Sequence, residues 1–152
     1  SASLVGSEMC IRDRENVVVY GSNAQAFDCA LWLTVRKKHV TIVTPSANKD
    51  LDMQQSQHAM RFMTTALYSL GVKVYPGASI KQIGDGQVTI ATEVGTNVTI
   101  DCDAVIDGAE MEPNTALLDG ISVSETYAIG DCNEPFNIAL AIRSGNDVAR
   151  AL

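Results

Sequence analysis

Residues 17–33 read VVVYGSNAQAFDCALWL. The run from Asn16 to Tyr20 is continuous and β-branched and stops at Gly21, the pattern of a strand buried on both faces. From Ala24 to Lys38, Ala26, Phe27, Ala30, Leu31 and Val35 recur at helical spacing, and the basic residues at the end suit the negative pole of a helix dipole. Residues 39–45, HVTIVTP, form a second buried strand closed by Pro45. Strand, helix and strand within about thirty residues make a βαβ unit with a right-handed crossover.

Working outward, the pattern predicts a second helix over Met53 to Leu70. Ala59, Phe62, Met63, Ala66, Leu67 and Leu70 lie along one face, and Gly71 stands at the stop. VKVYPG follows as a third strand. Short alternating strands broken by Gly-Asp-Gly and Val-Gly-Thr then predict a β-meander. Ala104 to Ile106 returns to a buried strand, and AEMEPNTALL reads as loop and turn. The chain ends with a strand at Thr126 to Ile129 and a helix from about Phe136 to Leu152. The expected fold class is α/β, a Rossmann-like domain with a β-meander over residues 16–110. Residues 1–14 show no period and stop abruptly at NVVVYG. They resemble translated sequencing-adaptor read-through and are set aside as unstructured, the alternative being a poorly ordered end of an upstream domain.

Lys plus Arg number 11 against 18 Asp plus Glu, a net charge of −7, which argues against nucleic-acid or anionic-membrane partners because both need clustered cations. Cys10, Cys29, Cys102 and Cys132 form no C-x-x-C pair, and their spacing fits neither zinc nor an iron–sulfur cluster. They read as reduced, mostly buried thiols of a cytoplasmic protein. No signal-peptide pattern opens the chain, and no apolar run spans a bilayer. His39 and His58 have no nucleophile partner in context, and Met53, Met60 and Met63 read as core packing.

The turn between the first strand and helix carries the first chemistry. A dinucleotide fingerprint, G-x-G-x-x-G/A, needs a glycine for the tight turn, one for close approach of a pyrophosphate, and a small residue for strand–helix packing. Those positions hold Gly21, Asn23 and Ala26. Asn tolerates positive φ better than most residues, but its Cβ restricts the approach. Two readings stand: a working site with altered nucleotide contact, or a βαβ unit that kept its fold and lost its ligand. At the end of the second strand, where NAD sites place a carboxylate for the adenosine ribose, stands Thr44. Ser46, Asn48 and Lys49 follow, groups able to accept a 2′-phosphate or to line a solvated loop. The absent carboxylate disfavours NAD more than it establishes NADP. In DAVIDGAEMEPNTAL, Gly108 would let backbone lie close to the nicotinamide side, and Asp107 reads as a turn residue rather than a catalytic acid.

The last motif is ETYAIGDCNEPFNIALAIRSGNDVARAL, residues 125–152. A strand aims the Gly130-Asp131 turn at a ligand, with Asp131 placed to accept hydrogen bonds from ribityl hydroxyls and Gly130 allowing close approach. The helix start after it could present its N–H groups toward the isoalloxazine or the pyrophosphate. The Y-A-I-G-D-C-x-E-P string and the A-I-x-x-G-x-x-x-A-R helix resemble the C-terminal portion of FAD- and NAD(P)-dependent oxidoreductases of the 2,4-dienoyl-CoA reductase, trimethylamine dehydrogenase and old-yellow-enzyme-like NADH:flavin oxidoreductase group. That resemblance implies a nucleotide domain inserted into an FAD domain. Residues 111–152 would then be the closing strand and helix of an FAD half whose first part lies upstream. It implies NAD(P)H and FAD as cofactors, with FMN and a 4Fe-4S cluster only in the missing upstream part, and hydride passing from NAD(P)H to FAD. An isolated fragment would have no turnover. The trimethylamine dehydrogenase branch has a degenerate nucleotide site, and Asn23 with Thr44 leaves open a non-catalytic, ADP-binding scaffold.

Overall fold

The computed structural model describes residues 14–46, 57–108 and 111–152. They fall into two compact units, one within Ser1–Glu110 and one in Met111–Leu152. The first contains β1 (Asn16–Tyr20), α1 (Ala24–Val35), β2 (His39–Val43), α2 (Gln57–Ser69), β3 (Lys73–Tyr75), β4 (Ser79–Gly84), β5 (Gln87–Ala91), β6 (Asn97–Asp101) and β7 (Ala104–Asp107). The second contains α3 (Ile138–Ala151) and short 3-10 turns at Ala116–Gly120 and Gly130–Cys132. Cys10, Lys49 and the expected helix start at Met53 lie outside the described residues.

β1 explains the fold. It pairs in parallel with β2 on one side and β7 on the other, giving the order β3-β2-β1-β7. Successive strand side chains face opposite ways, so Val17 and Val19 pack with Phe27, Ala30, Leu33 and Leu67 of the helices. Val18 packs instead with Val88 and Ile90 of β5, on the other face. A strand with a core on each face has no position for a polar side chain, hence the unbroken valine run. The meander, β4-β5-β6, is antiparallel. The chain therefore has the expected Rossmann-like α/β architecture.

Several element ends differ from the periodicity. α1 stops at Val35, three residues short of Lys38. The Lys37 N–H donates to Thr34 O and the Lys38 N–H to Leu33 O, a paired C-terminal cap with Lys37 at φ 63°. The basic residues thus lie beyond the last turn, and Arg36 stacks on the Trp32 ring at 3.6 Å. α2 ends with the same two bonds, and here Gly71 takes the left-handed position at φ 79°. Val35 is exposed because it stands two residues, about 200° of helix, from the buried Leu33. Phe62 is 74% exposed for the same reason, five residues from the buried Leu67, and Leu70 falls in the cap.

The expected strand at Thr126 to Ile129 is not one. Ile129 is extended, at φ −133° and ψ 155°, but the segment joins no sheet among the described residues, and extended backbone without a ladder partner is not a strand. The final helix begins at Ile138, capped by the Asn137 side chain, which accepts from the Leu140 N–H at 2.9 Å. No helix among the described residues is long and apolar enough to cross a membrane.

At the starting edge of the sheet, Asp103 Oδ2 accepts from the backbone N–H groups of Asn16 at 2.7 Å and Glu15 at 3.0 Å. These bonds, the Asn16 amide and the charge of Arg14 hold its carboxyl below the usual range. A depressed carboxyl stabilises the fold above its unfolded pKa, about 3.9, and loses that contribution as pH falls through the folded value. Asp103→Asn is therefore expected to lower the urea midpoint at pH 7, with the difference from wild type narrowing below about pH 4. Parallel urea titrations at the two pH values check this.

Candidate functional site

Register assembles the site. Tyr20 lies opposite both Val43 and Asp107, so β1, β2 and β7 end level. The residues that follow, Gly21, Thr44 and Gly108, leave the sheet at one edge although they are far apart in sequence. The Gly21 N–H donates to Val43 O at 3.1 Å, and the Gly108 N–H to Tyr20 O at 2.7 Å. In open α/β sheets this carboxyl edge is where ligands bind.

No side chain fits at the centre of that edge. Gly21 has φ 145°, and a Cβ on it would stand 2.3 Å from Gly108 O. A Cβ on Gly108 would meet the Ala26 Cβ at 2.9 Å and Tyr20 O at 3.0 Å. Gly21, Ala26 and Gly108 thus let the start of α1 settle between the ends of β1 and β7. Backbone N–H groups in the first turn of a helix lack intrahelical partners and carry its positive pole, which suits a pyrophosphate.

Asn23 differs from expectation. Its backbone is extended, φ −93° and ψ 168°, so nothing at this position calls for positive φ. It is the N-cap of α1, its Oδ1 accepting from the Ala26 N–H at 2.9 Å. Its Nδ2 donates to Gly108 O at 2.8 Å. Asn ahead of an alanine-rich helix is a cap signal that the fingerprint comparison obscured.

Thr44 is fully buried, its backbone bonded to Tyr75 O and Ala78 N and its hydroxyl accepting from the Ser46 N–H at 3.2 Å. It shapes the turn after β2, and Ser46 is the more accessible of the two. Asp107 is exposed at the end of β7.

In the second unit, Gly130 has φ 66° and donates its N–H to Ser144 Oγ at 2.9 Å, while that hydroxyl donates to Ala141 O. A Cβ on Gly130 would touch the Ala141 Cβ at 3.4 Å. The Gly-Asp turn is thus seated on α3, with Asp131 exposed. Ser144, which does the seating, was not singled out from sequence.

Cys29 is half-buried, Cys102 buried and Cys132 exposed, all free thiols. Burial pushes the Cys29 thiol up, and burial with Asp103 and Asp101 does the same for Cys102. Raised thiols are poor nucleophiles. Among the described residues no group of His, Cys, Asp and Glu could hold a metal ion. A cleft of about 420 Å³ lies at the opposite, starting edge of the sheet, lined by Asn16, His39, Thr41, Lys73, Tyr75 and Asp101 among others. No residue singled out from the sequence as a nucleotide contact lines it.

Residues 5–126 match the family model described as Pyridine nucleotide-disulphide oxidoreductase. The chain belongs to that family. Among solved structures, histamine dehydrogenase from Rhizobium sp. 4-9 superposes with a TM-score of 0.80 at 24% identity, over 91% of this chain and 22% of that one. A 2-naphthoyl-CoA reductase, solved with 2-naphthoyl-CoA, gives 0.71 at 26% identity over 86% of this chain and 20% of that one. An engineered water-forming NADPH oxidase bound to NADPH gives 0.64 at 19% identity, over 83% and 28%. The chain therefore spans about a fifth of the length of the first two. No curated protein matches the sequence significantly.

The close packing makes a stability prediction. Gly21→Ala is expected to cost about 1–3 kcal/mol through its backbone conformation alone, with an added loss because Gly108 must move. Gly71→Ala, at φ 79° with open space around it, carries only the conformational cost. Denaturant titration of both variants should show the larger loss in Gly21→Ala; equal losses would contradict the contact.

Proposed function

We propose that this chain is the pyridine-nucleotide-binding part of a larger flavin-dependent oxidoreductase, in which NAD(P)H supplies hydride to FAD. The observation that carries the reading is the close junction of Gly21 and Gly108, with only the Ala26 methyl between them and α1, which brings the start of α1 to the carboxyl edge of a parallel sheet. Residues 16–110 form the nucleotide domain on this reading. Gly21, Asn23 and Ala26 flank the pyrophosphate, Gly108 the nicotinamide side, and Ser46 with Lys49 the adenosine ribose or its 2′-phosphate. Thr44 holds the turn that carries Ser46. Residues 111–152 belong to an FAD domain, where the turn seated on α3 offers Asp131 to the ribityl chain. Family membership and the likeness to a 2-naphthoyl-CoA reductase at 26% identity support a flavin-dependent oxidoreductase, while the dienoyl-CoA reductase-like subgroup rests on the motifs of residues 125–152.

Asn23 favours a second reading, an ADP-binding scaffold without hydride transfer. It replaces the glycine that opens a dinucleotide site and spends its amide on protein groups.

Anaerobic mixing of the complete flavoprotein with NADH or NADPH separates the two. The proposal expects the flavin to bleach before substrate is added. Bleaching by substrate alone, with neither nucleotide effective, would establish the scaffold.

A further inference from the structure

The end of β2 lacks the carboxylate that would take an adenosine ribose, and the buried Thr44 stands in its place. The meander brings a carboxylate to the same edge. β2 and β3 end level, Val43 opposite Tyr75, so the chain leaves both strands side by side. Two bonds tie these exits together, from the Ala78 N–H to Thr44 O at 2.9 Å and from the Gly77 N–H to Ser46 O at 3.1 Å. Ser79, at the start of β4, pairs with Ala91 at the end of β5, so the turn after β5 lies beside Gly77. Glu93 stands in that turn and covers Gly77. A Cβ on Gly77 would stand 2.9 Å from the Glu93 Cβ and 3.2 Å from its carboxyl carbon. Glycine at 77, with φ 59°, leaves the space that the glutamate occupies. The turn itself is fixed. The Thr92 N–H donates to Thr96 O and the Gly95 N–H to Thr92 O, both at 2.9 Å, and the two threonine hydroxyls lie 2.7 Å apart. Glu93 is exposed and open to a ligand.

We propose that Glu93 takes the part of the missing acidic residue, facing the adenosine ribose of a nucleotide bound at this edge and selecting NADH over NADPH. The proposal rests on the nucleotide-site reading given above and adds which of the two nucleotides the site prefers. A carboxylate accepts hydrogen bonds from the ribose hydroxyls of NADH. The 2′-phosphate of NADPH removes one of those donors and sets one anion against another.

The test is calorimetric titration of this chain and its Glu93→Gln and Glu93→Lys variants with NADH and NADPH. The ratio of the two affinities within one protein does not depend on how much of a variant folds. The wild type is expected to bind NADH about 10-fold more tightly than NADPH, the effect of one charge-assisted hydrogen bond. Glu93→Gln keeps the shape without the charge and should bring the ratio within about 3-fold, the range of a neutral bond. Glu93→Lys should reverse it. Asp85→Asn removes the same charge from the turn between β4 and β5, at the other end of the meander, and should leave the ratio unchanged. A wild type without preference for NADH, or a ratio that neither Glu93 variant alters, would overturn the assignment and leave the nucleotide site standing. An equal effect of Asp85→Asn would also overturn it, since net charge rather than position would then set the preference. Binding of neither nucleotide by any form would remove the nucleotide-site reading and the role of Glu93 with it.

Discussion

The structure turns on the approach of two backbones, Gly21 at the end of β1 and Gly108 at the end of β7. A Cβ on the first would fall inside the carbonyl of the second. That contact fixes the gap between the strand ends, and Ala26 fills it from the helix side. Phe27, Ala30 and Leu33 can then reach the valines of β1 without forcing α1 off the sheet. The tight junction serves packing, and it leaves the start of the helix at the carboxyl edge of the sheet.

How far this was legible depended on how local the cause was. β1, α1 and β2 could be read because strand and helix periods are written within a dozen residues. The meander announced itself through Gly86 and Gly95, which take positive φ at its turns. The inward face of α1 was half right: Ala26, Phe27 and Ala30 are buried, but Leu33 rather than Val35 completes the stripe. Residues 126–129 have strand composition without a strand, because pairing depends on a neighbour that no local pattern specifies. Asp103 was invisible for a related reason, as its partners lie 87 and 88 residues away.

The candidate site divides the same way. Gly21 and Ala26 were found by their spacing, and the structure gives each a steric reason. Gly108 was singled out for a ligand, and the structure adds a packing reason, since a Cβ there would meet Ala26 and the Tyr20 carbonyl. Asn23 could be marked from sequence as a departure from glycine, but not as a bridge, since the bond to Gly108 depends on β7 lying beside β1. One side chain thus both caps α1 and bonds the end of β7.

The most direct test of the central claim, that the carboxyl edge of this sheet receives a pyridine nucleotide, is an amide chemical-shift map of the labelled chain titrated with NADPH. The account predicts the largest shifts at Gly21 to Gln25, at Ser46 and at Gly108, around the junction of β1, α1 and β7. Shifts confined to His39, Lys73 and Asp101, in the cleft at the opposite edge, would contradict it.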